Sequence, residues 1–241
     1  MIRHDQRACD QLRKVNLIPD FVQSAEASVL IEVGRTRVLC NATLTTDVPR
    51  WMKEEGQEKG WITAEYSLLP RSTNTRVKRE RGKVGGRTME IQRLIGRSLR
   101  AVANLENMPG VSVTVDCDVL EADGGTRTAS IVGAFVALGR ALMEYKKSNH
   151  LEGQILKHYV TAVSVGVLES NPILGLDYIE DSAAEVDMNL VLSSNGDFIE
   201  IQGTGEEATF SRAEMNQLLD LGEKGCAELL SKQKELLPEL P

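Results

Sequence analysis

Histidine is scarce in this chain: His4, His150 and His158 are the three in 241 residues, which excludes a His-rich metal centre. The four cysteines, Cys9, Cys40, Cys117 and Cys226, stand far apart with no Cys-x-x-Cys pair. A zinc site or a disulfide framework is therefore not expected, and a reduced, cytoplasmic compartment fits best. No apolar run approaches the roughly 20 residues of a membrane span. The start, MIRHDQRACDQLRK, has no apolar signal-peptide core, so no membrane partner is expected. Aromatic residues make up 4% of the chain, too few to stack many bases.

Positive charge is also short overall, with 28 Lys+Arg against 35 Asp+Glu and a net charge of −7. That total excludes a uniformly cationic binder of polyanions. The basic residues are pooled, however. Ten of them lie between Arg71 and Arg100, opposed only by Glu80 and Glu90, a net of +8 that leaves −15 for the remainder. The pattern is that of an acidic body with one basic site. Apolar residues form 41% of the chain, enough for a real core.

Alternation predicts strands at 28–33 and 36–45 around Gly34-Arg35, at 61–69, at 111–120 and at 160–168. A short strand ending at Asp181 and a meander through 186–202, turning at Asn195-Gly196, are expected after that. Residues 47–60 and the Gly-rich, basic stretch 71–87 read as loops. Helical spacing predicts helices from about Thr88 to Leu105, from Thr128 to about Lys146, and from Ser211 to about Leu236. Arg93, Arg97 and Arg100 would share the outer face of the first of these. The class is α+β, with mixed sheets flanked by helices, in one unit over 1–241. Its β-rich N-terminal half runs to about residue 150 and its C-terminal half from about 151.

Three constellations could carry chemistry. Gly124-Gly125-Thr126-Arg127-Thr128 lies between a strand and a helix. Free N–H groups, hydroxyls and a guanidinium there suit an anion, although an ordinary strand–helix turn capped by threonine reads the same. It lacks the Lys-Ser/Thr ending of a nucleotide-hydrolysing loop. The basic segment suits phosphate contacts rather than stacked bases, its alternative being a solvated face. Asp181 and Asp187 could hold a divalent cation or supply a general acid, or could simply lie on a solvated sheet face.

GWITAEYSLLPRST (60–73), GRTMEIQRLIGRSLRA (86–101), DCDVLEADGGTRTASI (116–131), DSAAEVDMN (181–189) and QGTGEEATFSR (202–212) together resemble the ribonuclease PH family of phosphate-dependent tRNA 3′-end nucleases. The likeness runs from Arg3 to about Lys234. It implies a duplicated βαβα-type fold and a homohexameric ring built as a trimer of dimers. It also implies phosphorolysis, reversible as nucleotide addition, in which inorganic phosphate releases nucleoside 5′-diphosphates from tRNA precursors, rRNA and other RNA 3′ ends, with no role for DNA. Carried over motif by motif, Arg87, Gly125, Thr126 and Arg127 correspond to the phosphate site. Asp181 and Asp187 correspond to the catalytic carboxylates that hold Mg²⁺ or Mn²⁺. Arg71, Arg76, Arg79, Arg93 and Arg97 are assigned to the RNA strand by charge and position. One departure is Gln6, where the family usually has Gly.

Two rival readings differ in their expectations. A non-catalytic RNA-binding ring subunit of an exosome-like assembly would be expected to lose the acidic pair or the phosphate-binding arginine, and both are present here. A hydrolytic ribonuclease on the same basic track would release monophosphates with no need for phosphate.

Overall fold

The computed structural model describes residues 3–149, 152–206 and 208–241. An N-terminal arm without regular structure leads into β1 (Val15–Pro19), then the hairpin of β2 (Ala27–Val33) and β3 (Thr36–Thr45). A short helix α1 (Arg50–Glu54) precedes β4 (Trp61–Leu68), α2 (Gly86–Ala101), β5 (Ser112–Glu121) and the long α3 (Thr126–Asn149). The rest is β6 (Val160–Leu168), β7 (Asn171–Leu174), the one-turn α4 (Tyr178–Asp181), β8 (Val186–Ser193), β9 (Phe198–Gly205) and α5 (Arg212–Leu236).

The strands make two sheets, ordered β1-β2-β3-β5-β4 and β7-β6-β8-β9. β4 runs parallel to β5 and all other pairings are antiparallel, so the first sheet is mixed as its class predicts. Helix α3 lies against β2 and β3 of one sheet and β6 of the other. This explains why its apolar residues go nearly all round: Ile131, Phe135, Leu138 and Leu142 are each fully buried. Burying such a side chain contributes about 1.5–3 kcal/mol. Cys40 faces Cys117 across β3 and β5, both buried and both free thiols, so they serve as small core residues.

Several sequence expectations need correction. β1 was not anticipated. The 47–60 segment contains α1 rather than loop alone. Helix α2 starts at Gly86 and ends at Ala101, not Leu105, because Ala103 and Asn104 pair instead with Leu156 and Ile155 from the far side of the chain. α3 begins two residues earlier than expected, at Thr126. Asp181 closes a helical turn rather than a strand. Asp177 caps that turn, accepting from the Glu180 N–H while Glu180 accepts from the Asp177 N–H.

Gln6 adopts φ 67°, the left-handed region that a side chain disfavours. Replacing Gln6 by Gly is therefore expected to stabilise the protein by up to about 1 kcal/mol, raising its melting temperature by roughly 2–4 °C. Calorimetry on the two proteins checks this, and a lower melting temperature would count against it.

Candidate active site

The β5–α3 turn is held from behind. Arg13 donates to the carbonyls of Asp123 (2.6 Å) and Gly124 (3.3 Å). Thr36 Oγ1 donates to the Gly124 carbonyl at 2.7 Å and accepts from the Asp123 N–H at 2.9 Å. Gly124 and Gly125 have φ 76° and 63°. A Cβ on Gly124 would stand 2.6 Å from the Asp177 carbonyl carbon, and one on Gly125 would stand 2.8 Å from the Arg13 guanidinium. Both positions therefore need glycine for conformation and for space. Burial and the like charge of Arg7 lower the Arg13 pKa to about 10, which still leaves it cationic at neutral pH.

With the turn fixed, the first turn of α3 opens forward with its unpaired N–H groups and no acidic residue of its own to meet the helix dipole. Tyr66 from β4 shares a 2.8 Å hydrogen bond with Thr126 Oγ1 and so orients that hydroxyl. Arg127 donates to Gln202 Oε1 of β9 (2.5 Å) and lies 3.4 Å from Glu90 Oε1 of α2, with 17% of its side chain exposed.

The arm locks α4 in place. Arg3, 2% exposed, donates to both oxygens of Glu180 at 2.6 and 2.5 Å and to the Leu174 carbonyl at 2.9 Å. Arg7 adds a 3.0 Å bond to Glu180, and His4 Nε2 lies 2.6 Å from Asp177 Oδ2. Removing one partner of so buried a pair costs about 3–5 kcal/mol. The arm thus holds both the anion-facing turn, through Arg13, and the helix that ends in Asp181.

Asp181 and Asp187 face the turn across a cavity of about 520 Å³. Burial raises the Asp181 pKa, partly opposed by the field of Arg87. Burial and the charge of Asp181 push Asp187 up to about 6, with Arg127 and Arg87 pulling the other way. Asp187 Oδ1 is buried with no hydrogen-bond partner among the described residues. A buried, unpartnered carboxylate oxygen beside a second carboxylate is a donor set that fits a hard divalent cation.

Six residues singled out by sequence, Arg87, Gly125, Thr126, Arg127, Asp181 and Asp187, thus line one cavity. A profile of the 3′ exoribonuclease family, domain 1, matches residues 11–144, and its domain 2 matches residues 158–225. Ribonuclease PH of Syntrophomonas wolfei is 54% identical over 239 residues, covering 98% of this chain and 99% of that one. Ribonuclease PH of Bacillus subtilis is 52% identical over 246 residues, covering 99% and 100%. The chain belongs to the ribonuclease PH family. It is a phosphorolytic 3′-to-5′ exoribonuclease.

Among solved structures, rice (Oryza sativa) Rrp46 superposes with a TM-score of 0.78 at 21% identity, covering 98% of this chain and all of the other. The Archaeoglobus fulgidus exosome with RNA bound to its active site gives 0.78 at 22%, covering 95% and 92%. At these identities the likeness shows the fold.

The five arginines assigned to RNA do not line the family's cavity here. Arg71 bonds the Asn74 carbonyl inside its own loop, and Arg97 pairs with Glu200 of β9. Arg79 faces Asp118, whose pKa it lowers against the effect of burial, and Arg93 lies exposed on α2. Arg100 shares their side of α2 but turns its guanidinium inward, where it bonds the Ile62 carbonyl at 2.7 Å and stacks over the Trp61 ring. Of the basic stretch 71–87, Thr73 to Thr75, Val77 and Arg87 reach the cavity wall. Sequence reasoning missed Arg13, Tyr66, Ser164 and Tyr178. Tyr66 and Ser164 carried one signal, a hydroxyl at an inward strand position among apolar neighbours.

Proposed function

We propose that this cavity performs phosphorolysis on the 3′ ends of tRNA precursors, with rRNA as a further substrate, and that Arg87, Thr126, Arg127, Asp181 and Asp187 carry it on the turn that Gly125 shapes. Inorganic phosphate sits on Arg87, Arg127 and the N–H groups and hydroxyl at Thr126. One of its oxygens attacks the phosphorus of the terminal phosphodiester. The bond to the O3′ of the preceding nucleotide breaks, and a nucleoside 5′-diphosphate and a shortened RNA leave. Two unit charges ~4 Å apart repel by ~4 kcal/mol at an effective dielectric of about 20. The two guanidiniums and the helix N-terminus offset that repulsion and align the attack.

The carboxylates divide the remaining work. Asp187, with its unpartnered buried oxygen, is the main ligand for Mg²⁺ or Mn²⁺, and Asp181 completes the pair. When bound, the ion stabilises charge on the transferring phosphoryl group. The departing O3′ takes its proton from the carboxyl of the pair that the ion leaves free. The single observation that carries this reading is the convergence of an anion-binding turn and an acidic pair on one cavity.

The family and the exosome-core neighbours support assembly as a homohexameric ring, a trimer of dimers. Four free cysteines support a cytoplasmic setting. Among the described residues no helix is long and apolar enough to cross a membrane.

The test incubates the protein with a 3′-extended tRNA, Mg²⁺ and graded phosphate. Diphosphate products that rise with phosphate are expected. Monophosphates formed without phosphate would sink the reading in favour of hydrolysis.

A further inference from the structure

A phosphorolytic 3′ exonuclease meets every nucleotide in turn. Hydrogen bonds to base edges would favour one base and stall on the others. Contact with the face of the base does not, because every base has a π-face. The cavity wall contains one residue suited to this. Tyr178 lines the cavity three residues before Asp181 and yet is 56% exposed. The other aromatic residue of the cavity wall, Tyr66, is buried and committed to Thr126.

The setting of Tyr178 is rigid. It opens α4, whose capping box and buried Arg3–Glu180 pair fix the backbone, and its N–H lies 2.8 Å from where a Cβ on Gly124 would stand. An exposed ring on such a platform loses little freedom when a flat partner lands on it. Apolar side chains of Leu68, Val77 and Ala122 line the same cavity. The site thus combines charged groups, suited to the two phosphates, with apolar side chains and one open aromatic ring.

We propose that the Tyr178 ring is the stacking platform for the 3′-terminal nucleobase, a sequence-tolerant subsite that seats the last nucleotide with its 5′-phosphodiester against Arg87, Arg127 and Asp181. This deepens the function proposed above and rests on it for the direction of the RNA. Low aromatic content therefore excludes a long stacking track and leaves room for one base.

The experiment uses RNAs of one body ending in each of the four nucleotides, with Tyr178→Ala and Tyr178→Phe beside the parent. Loss of the ring is expected to raise the RNA KM on the order of 10- to 100-fold for all four ends. The phosphate KM should stay within about 2-fold. Tyr178→Phe keeps the face and should behave as the parent. An unchanged RNA KM in Tyr178→Ala would overturn the proposal. So would a Phe variant as impaired as Ala, which would assign the effect to the hydroxyl. A change of assembled mass in Tyr178→Ala by light scattering would also overturn it, by showing that the ring is a subunit contact. RNA affinity measured without phosphate separates the two readings: if products prove to be monophosphates while Tyr178→Ala still weakens binding, phosphorolysis falls and the stacking subsite stands.

Discussion

Asp187→Asn is expected to cut turnover by ~10³-fold or more and at the same time to make the metal-free protein more stable at pH 7.5. The first half follows from the place of Asp187 in the acidic pair. The second follows from its surroundings. Burial and Asp181 push its pKa from 3.8 up to about 6. A carboxylate raised on folding binds more protons in the native than in the unfolded state between those values. Stability is therefore lost as pH rises through roughly 4 to 6, and the loss is complete above that window. A shift of about two units corresponds to on the order of 2–3 kcal/mol. Asparagine carries no charge and avoids that cost, so the gain should be largest near neutrality and vanish towards pH 4. Mg²⁺ should raise the melting temperature of the parent and leave the variant unmoved. Scanning calorimetry in chelator and in Mg²⁺, at pH 4.5 and 7.5, reads all of this. A variant less stable than the parent at pH 7.5 in chelator would show that the ionised carboxylate is held by contacts other than a metal.

What the sequence could disclose followed the range of the interactions involved. β3 and β5 alternate because one face of each is buried, and Ser211 with Glu214 forms a capping box readable within four residues. β1 is five residues long and carries Asn16 and Pro19, so its strand character comes from pairing with β2. Helix α4 has no periodicity to detect; a single turn is held by a cap and by Arg3, 177 residues away in the chain. Arg13 supports the Gly124 turn from a similarly distant place. The basic segment shows the same limit. Its charge was plain, but which arginine faces the cavity depends on where Glu200, Trp61 and Asp118 lie in the fold. Arg87 remains in the cavity, while Arg97 and Arg100 are engaged elsewhere.

Arg127→Ala is expected to raise the phosphate KM by ~10- to 100-fold, the loss of a strong charge-assisted contact, while RNA affinity changes little. The asymmetry comes from how each ligand is held. A free phosphate has Arg87, Arg127 and the α3 N-terminus, so losing one guanidinium removes a large share of its attraction. An RNA tail spreads its phosphates over many cations, and removing one lowers the salt dependence by about one charge. The geometry around Arg127 sharpens the expectation. Gln202 and Glu90 hold the guanidinium at one side, so it is oriented before phosphate arrives. Lysine cannot reproduce that fork, and Arg127→Lys should recover only part of the loss. Glu90→Gln removes a carboxylate that competes for the same guanidinium and should lower the phosphate KM. Initial rates over a phosphate series, with RNA affinity measured in parallel, separate these effects. If RNA affinity fell in Arg127→Ala and the phosphate dependence held, the two anions would have to exchange places, with the transferred nucleotide on Arg127 and the attacking phosphate on Arg87.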